Sequence, residues 1–445
     1  MSALEPPAPT TAGEQPVPMW ATGFGMILLA LSFSQIAYAV HPRKGPFLGY
    51  LEVLSVFLLA VWGISVLATG RLRTLRVPPW PIWASLAVAI LSLSNAASLS
   101  AGLVEVSHYL LYFILLYFLF ADVFRGRIVY AWWALIVGAG GSGLCALTQL
   151  PFVKAAVLAG SHGLLASDDL ASEAPRYIHG LAQSAYLHSA YLAVILPLVF
   201  ALICLAWPRR WAVAGAVGVL LAGATMVGAP HVWILMAALV WVAARLQPAN
   251  WWRPAALVCV PLLILQFVSP IHREANLESF LNPWETGSVY KVLSASANGQ
   301  APPIVKKRWL ELYPALAMIA DKPLLGVGAG NYQLSIGEAN YWGYLPNAKK
   351  TEPDTNNLYL VIGGSMGLAG LACLVAMLYY FWNLAAASAS RGDPFSVGLT
   401  AALAVLAVVI FFTPLLVRGA AVGWSALMAL AVLRAGEVVP RSGEA

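Results

Sequence analysis

The feature that most restricts the fold of this chain is a recurrence of long apolar runs, each near the about 20 residues that a helix needs to cross a hydrocarbon core. The run AYLHSAYLAVILPLVFALICLA, 185–206, carries no charged residue. Such runs are continuously apolar and do not alternate, so they read as helices and not as barrel strands. Only 10% of the 445 residues are charged and 60% are hydrophobic, whereas soluble proteins are about 25% charged. The fold class that follows is an all-α polytopic membrane protein.

About twelve spans are expected on this length criterion: 20–40, 47–69, 79–99, 103–123, 128–148, 185–206, 210–228, 230–246, 254–271, 357–384, 396–416 and 419–435. The arginines of 71–76, 125–127 and 208–210, with Arg245, Arg253 and Arg391, then fall on one side of the membrane. The positive-inside rule makes that side the cytoplasm. Arg43 and Lys44 fall outside and are the exception. The formal charge of +6 is thereby assigned to loops at the membrane surface and not to nucleic acid. The organisation expected is a disordered cytoplasmic tail over 1–18, nine spans over 19–271, a large outer loop over 272–356, three spans over 357–435 and a second cytoplasmic tail over 436–445. The Pro-rich first 18 residues lack Lys and Arg and do not resemble a signal peptide.

The outer loop is far longer than an ordinary connection and is the expected seat of function. Within it, Leu310, Tyr313, Leu316, Ala317 and Ile319 recur at helical spacing and predict an amphipathic helix over 305–320, lying at the outer membrane surface and ended by Asp321, Lys322 and Pro323. GVGAGNY follows, containing Gly326, Gly328, Gly330, Asn331 and Tyr332. It lacks the last glycine of a nucleotide-binding fingerprint, and no strand precedes it. It reads as a tight turn that allows close backbone packing and shapes a cavity floor. The four cysteines all sit in apolar runs, without the spacing of a disulfide framework or a zinc site. Ionisable residues are nearly absent from the middle of the spans; Glu52, Glu105, His108 and His188 lie near the outer ends. An ion-coupled transporter normally needs such groups at mid-depth, so a site at the outer interface is favoured.

PLLGVGAGNY, followed by NNLYLVIGGSMGLAGL, resembles the signature of the O-antigen ligase and O-antigen polymerase superfamily. Members show a PLLGxGxGN-like stretch, then an HNxYL-like stretch leading into a helix that ends in GLxG. YIHGLAQSAYLHSAYLAVILPL, 177–198, is similar to another span of that family. With the topology, the resemblance covers most of the chain; its sharp motifs cover far less. It implies transfer of a glycan from undecaprenyl pyrophosphate to an acceptor hydroxyl at the periplasmic face of a bacterial inner membrane. The acceptor is lipid A core for a ligase and a second lipid-linked glycan for a polymerase. Single displacement implies inversion, and neither metal nor cofactor is required if arginines meet the pyrophosphate.

The chemistry makes two demands. A leaving pyrophosphate needs cations, preferably guanidinium, and the acceptor hydroxyl needs a base. Lys306, Lys307 and Arg308 cluster three positive charges at the start of the amphipathic helix, where they oppose the macrodipole and suit an anion. Lipid headgroup contact explains the same cluster. Arg308 also falls where the family carries an important arginine, and Arg176 is a second outer arginine. The family histidine, however, aligns with Asn356, and a second family arginine is replaced by His231. The base is therefore expected to be His231 or Asp354, with Asn356 orienting a hydroxyl; capping of the tenth span is the structural alternative for Asp354 and Asn356. Glu105 and His108, three apart on one helical face, form a potential pair. Tyr341, Trp342 and Tyr344 offer surfaces for sugar rings or anchors for the interface. The rival readings are a non-catalytic relative that binds lipid-linked glycan or a partner protein, and a transporter or flippase.

Overall fold

A computed structural model describes residues 17–32, 50–149, 185–226, 229–268, 307–336, 341, 357–413 and 420–438, and no strand occurs among them. The main helices are α1 Met19–Leu31, α2 Tyr50–Ala68, α3 Trp80–Ser92, α4 Leu99–Val123, α5 Ile128–Thr148, α6 Ala185–Ala206 and α7 Arg210–Ala224. They continue as α8 Ala229–Leu246, α9 Trp252–Val268, α10 Lys307–Asp321, α11 Leu358–Ala389, α12 Pro394–Val409 and α13 Ala420–Val438. Among the described residues, α2, α4, α5, α6 and α11 are long and apolar enough to cross a membrane, and seven further helices are apolar but shorter. The runs 128–148 and 185–206 are helical from end to end. The amphipathic segment expected over 305–320 is helical over Lys307–Asp321.

Side-chain size is distributed as a lipid surround demands. Large apolar residues such as Ile64, Leu144, Phe267 and Val268 are at least 66% exposed, while alanines such as Ala131, Ala190 and Ala193 are wholly buried. A water-soluble chain of this surface would aggregate; in lipid, small residues at the contacts let helices approach closely. The innermost helix is α6, packed by α5, α7, α8 and α12. At its crossing with α12, a Cβ on Gly398 would stand 3.0 Å from the Leu198 Cα.

One pole of the bundle is held by arginines. Arg71 Nη1 donates to Asp122 Oδ2 at 2.9 Å, and Trp62 Nε1 donates to the same oxygen at 3.0 Å. Arg127 Nη1 donates to Thr22 Oγ1 at 2.8 Å, Arg76 Nη1 donates to the Val432 carbonyl at 3.3 Å, and Arg125 donates to the Thr74 carbonyl. Asp393 caps α12 by accepting from Ser396 N–H at 2.8 Å, and it also accepts from Arg434 Nε at 2.8 Å. Burial by itself would push the Asp393 carboxyl up; the Arg434 and Ser396 hydrogen bonds outweigh it and hold the group below its ordinary value. The opposite pole contains the glycine turn.

Candidate functional site

The glycine turn is built into a broken helix. In α11 the helical ladder stops at Gly367, whose φ of 67° and ψ of −166° belong to a region open essentially to glycine alone. In a continuous helix, the Gly364 and Ser365 carbonyls would accept from the N–H groups of Leu368 and Ala369. Here they accept from Val327 N–H at 2.9 Å and Gly328 N–H at 2.8 Å. Leu368 N–H and Ala369 N–H donate instead to the carbonyls of Pro323 at 2.7 Å and Leu324 at 3.2 Å. The turn thus supplies partners for these four groups, as irregular backbone at membrane depth requires. The approach leaves no room for side chains: a Cβ on Gly367 would lie 2.3 Å from the Leu324 carbonyl carbon.

The other side of the turn rests on the α3–α4 connection. Ala329 N–H donates to Ser92 Oγ at 3.0 Å, and Asn95 Nδ2 donates to the Gly326 carbonyl at 3.0 Å. Asn331, wholly buried, accepts from Ser98 N–H at 2.7 Å through Oδ1. Its Nδ2 donates to the Ala329 carbonyl at 2.9 Å and the Ser98 carbonyl at 3.2 Å. An amide carries both donor and acceptor on one short side chain, so it bridges two backbones. Gly328, at φ 105°, sits so close to Ala96 that a Cβ would lie 2.7 Å from its Cα. Ala315 and Met318 of α10 are buried, and Tyr332 is 3% exposed. The expected cavity-floor residues Gly326, Gly328, Gly330, Asn331 and Tyr332 therefore build the turn and its seat; Asn331 directs its amide to protein backbone.

A second cluster joins the start of α8, the end of α12 and the start of α11. His231 is 1% exposed, and its Nε2 lies 3.0 Å from Thr413 Oγ1. Nearby in the chain, the Ile410 carbonyl accepts from Leu358 N–H at 2.9 Å, and the Ala407 carbonyl accepts from the Tyr359 hydroxyl at 2.7 Å. The cap of α11 is Asn357, which accepts from Leu360 N–H at 3.2 Å through Oδ1. Capping was anticipated at Asp354 or Asn356, and the residue that performs it is the next one along.

Buried polar contacts continue along the helices. The Tyr112 hydroxyl donates to Glu52 Oε1 at 2.7 Å, and Glu52 is 2% exposed. The Glu105–His108 pair forms, with His108 Nδ1 3.6 Å from Glu105 Oε2. His188 bridges three helices, its ring nitrogens lying 3.0 Å from Ser142 Oγ and 2.9 Å from Thr225 Oγ1. Sequence reasoning placed the four ionisable residues near helix ends but missed Tyr112, Ser142, Thr225 and Thr413, whose roles depend on partners remote in the chain. Among the described residues, no group of three or more His, Cys, Asp or Glu side chains is arranged to hold a metal ion.

Of the remaining expected residues, Lys307 and Arg308 are the first two of α10. Tyr341 donates its hydroxyl to Asp321 Oδ2 at 2.9 Å. Lys306, Arg176, Asp354, Asn356, Trp342 and Tyr344 lie outside the described residues. No family model matches this chain, and no curated protein matches it.

Proposed function

We propose that the protein transfers a glycan from undecaprenyl pyrophosphate to an acceptor hydroxyl at the outer face of a bacterial inner membrane, as an O-antigen ligase or surface-polysaccharide polymerase does. The observation that carries this reading is the union of the glycine turn with the broken helix α11: the two motifs that resemble that superfamily meet in one hydrogen-bonded unit. In this reading about twelve helices span the bilayer, both termini are cytoplasmic, and the segment 272–356 caps the site from the periplasm. Lipid A core or a second lipid-linked glycan is the acceptor.

The step is a single displacement. The acceptor oxygen bonds to the anomeric carbon as the carbon–oxygen bond to pyrophosphate breaks, with inversion. The lipid pyrophosphate leaves as an anion, met by Arg308 with Lys306, Lys307 and Arg176, so that no metal is needed. Bidentate guanidinium contacts suit its geometry. The N–H groups at the start of α10 add to the same attraction. Asn356 orients the acceptor hydroxyl. Asp354 and His231 are candidates for the base; His231 is 1% exposed, and its Nε2 lies 3.0 Å from Thr413 Oγ1.

Glycan profiling of a deletion strain, complemented by the parent protein or by Arg308→Ala, tests the reading. Lost or shortened surface polysaccharide that the parent restores and Arg308→Ala does not is the expected result. A single unpolymerised repeat then identifies a polymerase, and accumulated lipid-linked polymer a ligase. Full restoration by Arg308→Ala would sink the catalytic reading in favour of a glycan-binding role.

A further inference from the structure

Helices α8, α11 and α12 leave an open apolar groove of about 280 Å³ between them. Its floor is made of small buried side chains, Ala238 of α8 and Ala401 of α12, and its walls include Trp241 and Trp382, 39% and 37% exposed. The lining contains a single hydroxyl, on Thr400, which donates to the Ser396 carbonyl at 2.7 Å. With α8 and α12 in hydrocarbon, such a groove takes an apolar occupant and not water. One turn of helix, about 5.4 Å long and 10 Å wide, already needs more room than this. The occupant that fits is a flexible hydrocarbon chain.

The groove also has a charged end. Ile234, Ala238 and Trp241 recur at helical spacing on one face of α8, and the next residue of that face is Arg245, about 6 Å beyond Trp241. The contact of His231 with Thr413 sets α8 and α12 antiparallel, so Arg245 lies at the same end as the α11–α12 turn, which carries Arg391. Both arginines are exposed, and neither side chain has a hydrogen-bond or ion-pair partner among the described residues. Asp393 of the same turn is engaged by Arg434 and Ser396. No Asp or Glu occurs between Glu173 and Glu274, so α8 and its flanking turns bring no acid to balance Arg245.

We propose that this groove binds one anionic phospholipid of the surrounding bilayer. An acyl chain lies along the alanine floor between Trp241 and Trp382, and Arg245 and Arg391 hold the phosphate. Guanidinium groups suit a phosphate oxygen pair, and basic residues at a membrane surface favour anionic headgroups. The chain touches three helices and ties α8 to the α11–α12 hairpin. The headgroup end is the arginine pole, with the glycine turn at the other, which separates this lipid from the polyprenyl donor of the proposed reaction. The inference does not depend on that reaction.

The test uses full-length protein stripped of lipid in detergent and titrated with phosphatidylglycerol or phosphatidylcholine carrying brominated acyl chains. Brominated phosphatidylglycerol should quench tryptophan fluorescence saturably and raise the unfolding temperature more than phosphatidylcholine does. Trp241→Phe combined with Trp382→Phe should remove the saturable quenching. Arg245→Gln combined with Arg391→Gln should weaken phosphatidylglycerol binding by about 10–30-fold, leaving phosphatidylcholine binding and the lipid-free unfolding temperature unchanged. Ala404 is an exposed groove residue, and Ala404→Trp should fill the groove and abolish saturable quenching in a protein that still unfolds as the parent does. Equal affinity of the parent for the two phospholipids, or parent-like phosphatidylglycerol binding by the arginine variant, overturns the headgroup site. Saturable quenching that survives Ala404→Trp overturns the groove. Displacement by undecaprenyl phosphate at lower concentration than by phosphatidylglycerol overturns the choice of lipid.

Discussion

The two poles of the bundle solve the same problem with different chemistry. At the arginine pole, polar groups are satisfied by charge: Arg71 meets Asp122, and Arg434 meets Asp393. At the glycine pole, they are satisfied by backbone: the turn 323–328 exchanges hydrogen bonds with the break in α11, and Asn331 bridges the rest. Ion pairs tolerate some movement of long side chains, whereas backbone exchange demands close approach and admits no Cβ. The first pole is therefore vulnerable to loss of charge, and the second to gain of volume.

The largest effect should come from unbalancing the buried pair. Asp122→Leu leaves Arg71, 4% exposed, without its partner, and should cost about 3–5 kcal/mol of stability. Replacing both residues with apolar ones of similar size should recover most of that loss. If the single and double variants unfold at the same temperature in detergent, the charge account of this pole fails. Gly367→Ala should cost about 3 kcal/mol, from backbone strain and from the collision with Leu324. It should also speed amide exchange at Val327 and Gly328, which lose their acceptors if α11 straightens. Normal exchange there would break the proposed coupling between turn and helix.

A smaller effect, about 1 kcal/mol, is expected from Asp393→Ala, which removes a helix cap. Because the folded protein holds this carboxyl below its ordinary value, its contribution is whole at neutral pH. It declines as pH falls from the ordinary aspartate range through the lower folded value. The parent and Asp393→Ala unfolding temperatures should therefore converge in strong acid and stay apart at neutral pH. A gap that is unchanged on acidification would show that the cap acts without its charge.

Much of the helical layout was legible because lipid solubility is a property of each residue by itself. An apolar run such as 185–206 announces a helix wherever it sits, whereas the start of α12 at Asp393 and Pro394, two residues ahead of the expected 396, became visible only with its cap. The amphipathic spacing around Leu316 likewise located α10. The break at Gly367 was not legible: 357–384 reads as one continuous apolar run, and its glycines are as consistent with close helix packing as with an interruption. The Glu105–His108 pair could be anticipated from three-residue spacing, but Tyr112–Glu52, 60 positions apart in the chain, could not.

The sequence by itself determined that the described residues form helices suited to a membrane, and roughly where the long apolar ones run. Tertiary structure alone decided which glycines bend backbone, which asparagine serves as cap and which as bridge, and which of the described histidines are buried. The physical reason is that burial preference is carried residue by residue, whereas a hydrogen bond belongs to a pair. Partners distant in the chain, such as Gly328 and Ser365, are not visible to each other until the chain has folded.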